Sequence, residues 1–149
     1  MNKVLQAVKA FFEKWFKGRA IGFYVAMAVA LLAFVVDLVY VIVDHADSDR
    51  TFSWVGFALI LVAVFSNAVT VFTPLPFAPF IPSVLYSVSF GVILKACLPS
   101  ISDIWNGVNF IGGNGELGIV FSALFGVIAI AGIVTCFLDT KKTLLLVKE

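Results

Sequence analysis

Charge is what this chain has least of. Charged residues make up 13% of its 149 residues and the mean hydropathy is +1.10, whereas roughly a quarter of the residues in a soluble domain are charged. Hydrophobic residues reach 62% and include 16 phenylalanines, which is more apolar surface than a water-soluble fold of this length could bury. The composition therefore excludes a water-soluble domain and predicts an integral membrane protein.

Residue types that build metal and catalytic sites are also few. The chain has one histidine and two cysteines, Cys97 and Cys136, and their spacing matches no metal-ligand motif. No nucleophile and base stand in a pattern typical of a hydrolase. The glycine-rich segment 112–118 lacks the lysine and the spacing of a phosphate-binding loop. We therefore predict no catalytic residues, no metal and no cofactor, and we expect a non-enzymatic protein.

The first 19 residues contain five basic residues against Glu13 alone, together with an apolar stripe at helical spacing. This pattern predicts a basic amphipathic helix that lies in the membrane interface, with its lysines toward anionic lipid headgroups. A helix packed on a soluble partner is the alternative. Because the only strongly basic segment is amphipathic, nucleic acid is not an expected partner. The aromatic side chains expected to enter the membrane are Phe11, Phe12, Trp15 and Phe16.

Residues 20–138 contain four long apolar segments, and residues 139–149 form a basic tail. We predict an all-α integral membrane protein in which four transmembrane helices form a bundle. Ser100 and Asp103 have the spacing of a helix N-cap, and the apolar residues after them predict a short interfacial helix between spans three and four, ending near Gly107. The predicted spans cover about 21–43, 52–72, 79–98 and 117–138.

The few charges mark the two ends of the spans. Basic residues outnumber acidic ones in segments 1–19 and 139–149, whereas segments 44–50 and 99–116 are acidic. An even number of spans places both termini on one side, and the positive-inside rule makes that side the cytoplasm. Trp54 and Trp105 fall at the opposite boundary, where tryptophan is enriched. We therefore predict an integral protein of a cell membrane with both termini in the cytoplasm.

Asp37 is the most informative residue, because a carboxylate at the centre of a membrane span costs about 2.5–3.5 kcal/mol and is a functional hypothesis by default. Lys95 lies near the same outer boundary on span three, so we predict an Asp37–Lys95 ion pair inside the bundle, with Ser122 at the same level. The alternatives are that both charges reach headgroup water independently, or that Asp37 couples to a proton or cation. Asn67 lies toward the other boundary. An asparagine within a span more often joins neighbouring helices than binds a ligand, so we predict a packing role for it.

Span four carries small residues at intervals of three or four. Such a face allows close approach of another helix, either within the bundle or between protomers. The pattern predicts helix packing and indicates no chemistry. The residues concerned are Gly118, Ser122, Gly126, Ala129 and Gly132.

Two functions are compatible with these patterns. The spans lack a coherent line of polar residues, and the uncharged linker 73–82 contains four prolines and needs covering by lipid or protein. Both features favour a non-enzymatic assembly or accessory subunit that self-associates as a homo-oligomer or packs with other membrane-protein subunits. The alternative is a small oligomeric channel or transporter that uses Asp37 and Lys95.

Overall fold

In the computed structural model, which describes residues 19–47, 51–73 and 77–138, the chain forms helices α1 (Ile21–Asp47), α2 (Trp54–Phe72), α3 (Phe80–Trp105) and α4 (Gly115–Thr135). Each is long and apolar enough to cross a membrane. Within the described residues, the prediction of an all-helical fold with four helices long and apolar enough to span a membrane is confirmed. The predicted N-terminal amphipathic helix, with Phe11, Phe12, Trp15 and Phe16, and the basic tail lie outside the described residues.

The four helices form an antiparallel ring. Each helix packs on its neighbours in sequence, α1 also packs on α4, and α1–α3 and α2–α4 make no close backbone approach within these helices. We call the end with the α1–α2 and α3–α4 connections the outer end, and the opposite end the inner end. Trp54 and Trp105 are both strongly exposed at the outer end. This position agrees with the boundary predicted for them.

Local side-chain and backbone caps set where the helices begin and end. Ser53 accepts a hydrogen bond from the Gly56 amide at 3.1 Å and starts α2, and Asn114 does the same for α4 through the Leu117 amide at 3.1 Å. At the end of α3, Gly107 has a φ of 64°. Glycine tolerates this left-handed conformation, which turns the chain so that the last carbonyls of the helix are capped.

The region after Pro99 differs from the sequence prediction. Residues 100–105 are helical as expected, but they continue α3 through Pro99 instead of forming a separate short helix. A proline removes one backbone hydrogen bond and usually kinks or ends a helix. Here Ser100 donates to the Gly112 carbonyl at 2.9 Å, and the Asp103 carboxylate accepts from the Ile111 amide at 2.7 Å. These two bonds fasten the outer loop to the last turns of α3.

Helices α3 and α4 share the most extensive contact in the ring. Hypothetical β-carbons on the small residues of α4 would lie 3.3 Å from the Cys97 side chain at Gly118, 3.4 Å from Phe90 at Gly126, and 3.0 Å from Tyr86 at Gly132. Ser122 and Ala129 are buried on the same helix. The predicted small-residue face therefore packs within the bundle, against α3.

Glycine 115 gives a direct test of this packing. A β-carbon there would overlap the backbone carbonyl oxygen of Ser100, and backbone cannot move aside as a flexible side chain can. We expect Gly115→Ala to lower the free energy of unfolding in detergent by about 1–3 kcal/mol. Gly91→Ala is the matched control, because nothing lies within 4 Å of that β-carbon. Equal stability of the two variants would contradict the close contact.

Candidate functional site

Six buried residues near the outer end form what we call the outer polar cluster: Asp37, Tyr40, Asp44, Thr51, Cys97 and Ser122. Asp37, Tyr40 and Asp44 follow one another at intervals of three and four on α1. Residues at this spacing share one face of a helix, and here that face is turned into the bundle. The cluster therefore places two carboxyl groups of α1 inside the protein.

The outer part of the cluster is closed by hydrogen bonds to Thr51, just before α2. The Tyr40 hydroxyl donates to the Thr51 carbonyl at 3.1 Å and accepts from the Ser53 amide at 2.8 Å. The Thr51 hydroxyl donates to Asp44 at 2.7 Å, and the Cys97 thiol lies 3.6 Å from the Thr51 carbonyl. Helices α1, α2 and α3 are thus joined at one point.

Asp37 lies about two turns deeper than Asp44 and is bonded differently. Its side chain is 0% exposed, and neither carboxyl oxygen has a hydrogen-bond partner among residues 19–47, 51–73 and 77–138. The hydroxyl of Ser122, on α4, is also buried, and it lies beside the thiol of Cys97. Ser122 is one turn below Gly118, which faces Cys97, so both groups lie in the inner part of the outer polar cluster.

Lys95 does not reach Asp37. The buried positions of α3 around it are Ile93 and Cys97, and Lys95 is two residues from each, on the opposite side of the helix, where it is exposed. The ion pair predicted between Asp37 and Lys95 is therefore not formed. The helical rotation of α3 turns Lys95 away from the interior.

A second polar contact lies near the inner end. The amide nitrogen of Asn67 on α2 donates to the Ala26 carbonyl of α1 at 3.1 Å and to the Tyr86 hydroxyl of α3 at 3.4 Å. This geometry agrees with interhelical packing rather than with a ligand. Ala26 and Asp37 are eleven residues apart on α1, so about 16 Å of helix separates the two polar levels.

Apolar side chains fill the space between the two polar levels. They come from all four helices and pack in one continuous core. The small polar side chain at this depth, Ser89, donates to the Leu85 carbonyl of its own helix at 2.7 Å. The interior is therefore sealed between the outer polar cluster and Asn67 by Ala33, Ile60, Ala63, Phe125 and Ile128.

An apolar groove of about 690 Å³ lies on the outside of the bundle, between α3 and α4 and toward the inner end. It begins where the proline-rich linker joins α3. The exposed parts of its walls are aromatic and aliphatic. Side chains that line it include Phe77, Phe80, Val84, Val88, Ile133 and Phe137.

Sequence reasoning missed three members of the outer polar cluster. Asp44 was expected in a solvated acidic loop, but α1 continues to Asp47 and Asp44 is 0% exposed. The sequence patterns indicate no buried polar role for Tyr40 or Thr51. The spacing of Asp37, Tyr40 and Asp44 was the available signal, because it continues the buried face of α1 by two further turns.

No protein-family model, curated protein or solved structure matches this chain.

The separation of Asp37 from Lys95 can be tested with a double-mutant cycle. Because the side chains point away from each other, we expect the effects of Asp37→Asn and Lys95→Met on the free energy of unfolding to add within about 0.5 kcal/mol. Unfolding of the reconstituted protein with increasing denaturing detergent measures each term. A coupling energy above about 1 kcal/mol would show that the two charges meet.

Proposed function

We propose that this chain is a non-enzymatic assembly or accessory subunit, which self-associates or packs with other subunits in a larger membrane complex. The observation that carries the proposal is the sealed interior. Asp37 and Asn67 mark two polar levels about 16 Å apart with an apolar core between them, and the hydroxyl of Ser89 at that depth is bonded to the Leu85 carbonyl of its own helix. Because the interior formed by residues 19–47, 51–73 and 77–138 offers no polar passage, we place the function on the outer surface.

The groove between α3 and α4 is the part of that surface best shaped for a neighbouring subunit. Its walls are concave and contain several phenylalanines. Lipid chains do not require such a concave surface, because they pack equally well on an even one. The small residues of α4 are already used inside the bundle, so they do not serve a contact between protomers. A neighbouring membrane helix seated in the groove would also cover the start of α3 beside the proline-rich linker.

A channel or transporter is the second candidate, and Asp37 is the observation in its favour. A buried carboxyl without a protein partner is typical of ion and proton pathways. Lys95 no longer belongs to that hypothesis, because it is exposed on the far side of α3. The sealed apolar core makes this candidate the weaker one.

Site-specific photo-crosslinking in the native membrane tests the assembly proposal. We expect a photoreactive residue at Val88, which lines the groove, to give a discrete cross-linked product with a second copy of this chain or with another membrane protein. Identification of that product by mass spectrometry, together with the native mass of the complex in nanodiscs, measures the stoichiometry.

Phe65 is the matched control position. Because Asn67 meets Tyr86 and neighbouring helices are antiparallel, Phe65 lies at nearly the depth of Val88, and it is exposed on α2. The proposal expects no discrete product there. A monomeric native mass, with the same diffuse lipid adducts from both positions, would contradict it.

A further inference from the structure

Asp37 is a buried carboxyl that the assembly role does not use. Its side chain is 0% exposed, and both oxygens lack hydrogen-bond donors within the described residues. An ionised carboxylate taken out of water needs a cation or several donors to offset its lost hydration. The packing around Asp37 therefore decides which form of the carboxyl is compatible with the closed bundle.

The polar and titratable groups facing this part of the interior come from α1, α3 and α4, and none in the described part of the chain is positive. From α1 they are Tyr40 and Asp44, and from α3 the thiol of Cys97. Helix α2 contains no ionisable residue, and α4 contributes Ser122, its Glu116 being exposed at the helix start. An ionised Asp37 would thus share an apolar interior with the carboxyl of Asp44 and would have no basic side chain beside it among the described residues.

An inorganic cation is a poor occupant of this position. Hard cations take about six oxygen ligands, whereas the side-chain oxygens at this level are those of Asp37 and Ser122, and the carboxyl of Asp44 lies about two helical turns further out. The Thr51 carbonyl already accepts from Tyr40 and Cys97. Among the described residues, no three His, Cys, Asp or Glu side chains come together in a group suited to a metal ion. A proton needs neither ligands nor a cavity.

We propose that Asp37 is a proton-binding site, whose carboxyl is a neutral acid while the bundle is closed and releases its proton when the outer end opens to water. The proton is bound to one carboxyl oxygen of Asp37. The resulting O–H group is a hydrogen-bond donor at the level of Ser122. This inference goes beyond the assembly function and does not depend on it.

Proton binding at Asp37 determines the direction in which pH changes the stability of the closed bundle. The closed bundle holds a proton that the opened chain in water gives up, so closure takes up a proton and is favoured as pH falls. Raising the pH should therefore lower the stability of the wild-type bundle. Tyr40, Asp44 and Cys97 also lie in this region, but they are present in an Asp37→Asn variant as well and cancel in the comparison.

Infrared spectroscopy of the protein in vesicles of ether-linked phosphatidylcholine, which has no ester C=O band, tests the proposal directly. The C=O stretch of a protonated carboxylic acid is separate from the bands of carboxylates. We expect this band in the wild type at neutral pH and its loss in Asp37→Asn. Asp103→Asn is the matched control, because that carboxylate accepts a hydrogen bond from the Ile111 amide at the outer loop, and the acid band should persist in it.

A second measurement follows thermal unfolding against pH. We expect the melting temperature of the wild type to fall as pH rises, relative to that of Asp37→Asn. Identical pH profiles, an acid band that persists in Asp37→Asn, or carboxylate bands at Asp37 that shift with sodium concentration would each overturn the proposal. Failure of Asp37→Asn to fold would do so too, because an amide has nearly the size and polarity of a neutral acid.

Discussion

Polar groups in this bundle have to be satisfied from within the protein. The outward faces of the four helices are apolar, and the core between the two polar levels is closed. In such surroundings a backbone or side-chain group finds a protein partner or remains costly. The hydrogen bonds at Thr51 and Asn67 meet this requirement by joining neighbouring helices, and they fix the ring at its outer and inner ends.

Asp37 does not meet this requirement, because neither of its carboxyl oxygens has a hydrogen-bond partner among the described residues. Asp44, by contrast, accepts a hydrogen bond from the Thr51 hydroxyl. At 0% exposure an ionised form of the Asp37 carboxyl would be costly, so the closed state is sensitive to the charge of one side chain.

The sealed core also separates the two candidate functions. A pathway across the membrane would need polar groups or water between the level of Asp37 and that of Asn67, and aliphatic and aromatic side chains occupy that region. The groove between α3 and α4, by contrast, is an external surface feature that requires no opening of the bundle. This arrangement favours a role in which the chain packs with other subunits over one in which it conducts.

The sequence was sufficient to predict the helices but not their rotations. Hydrophobic runs predict membrane-spanning helices because length and composition alone decide the transfer to lipid. Lys95 shows the limit: its depth follows from counting residues, whereas its direction depends on how α3 packs against α2 and α4. The sequence predicts that the first span ends before Asp44 and the third before Pro99, because charge and proline usually end a helix. Tertiary hydrogen bonds, from Thr51 and from the outer loop, extend both helices beyond these residues.

Proton and ion flux through liposomes containing the purified protein tests the sealed interior most directly. Because the described part of the bundle has no polar route, flux should equal that of protein-free liposomes. Asp37→Asn should leave this flux unchanged. Flux well above that background, abolished by Asp37→Asn, would contradict the assembly role and identify Asp37 as part of a conducting path.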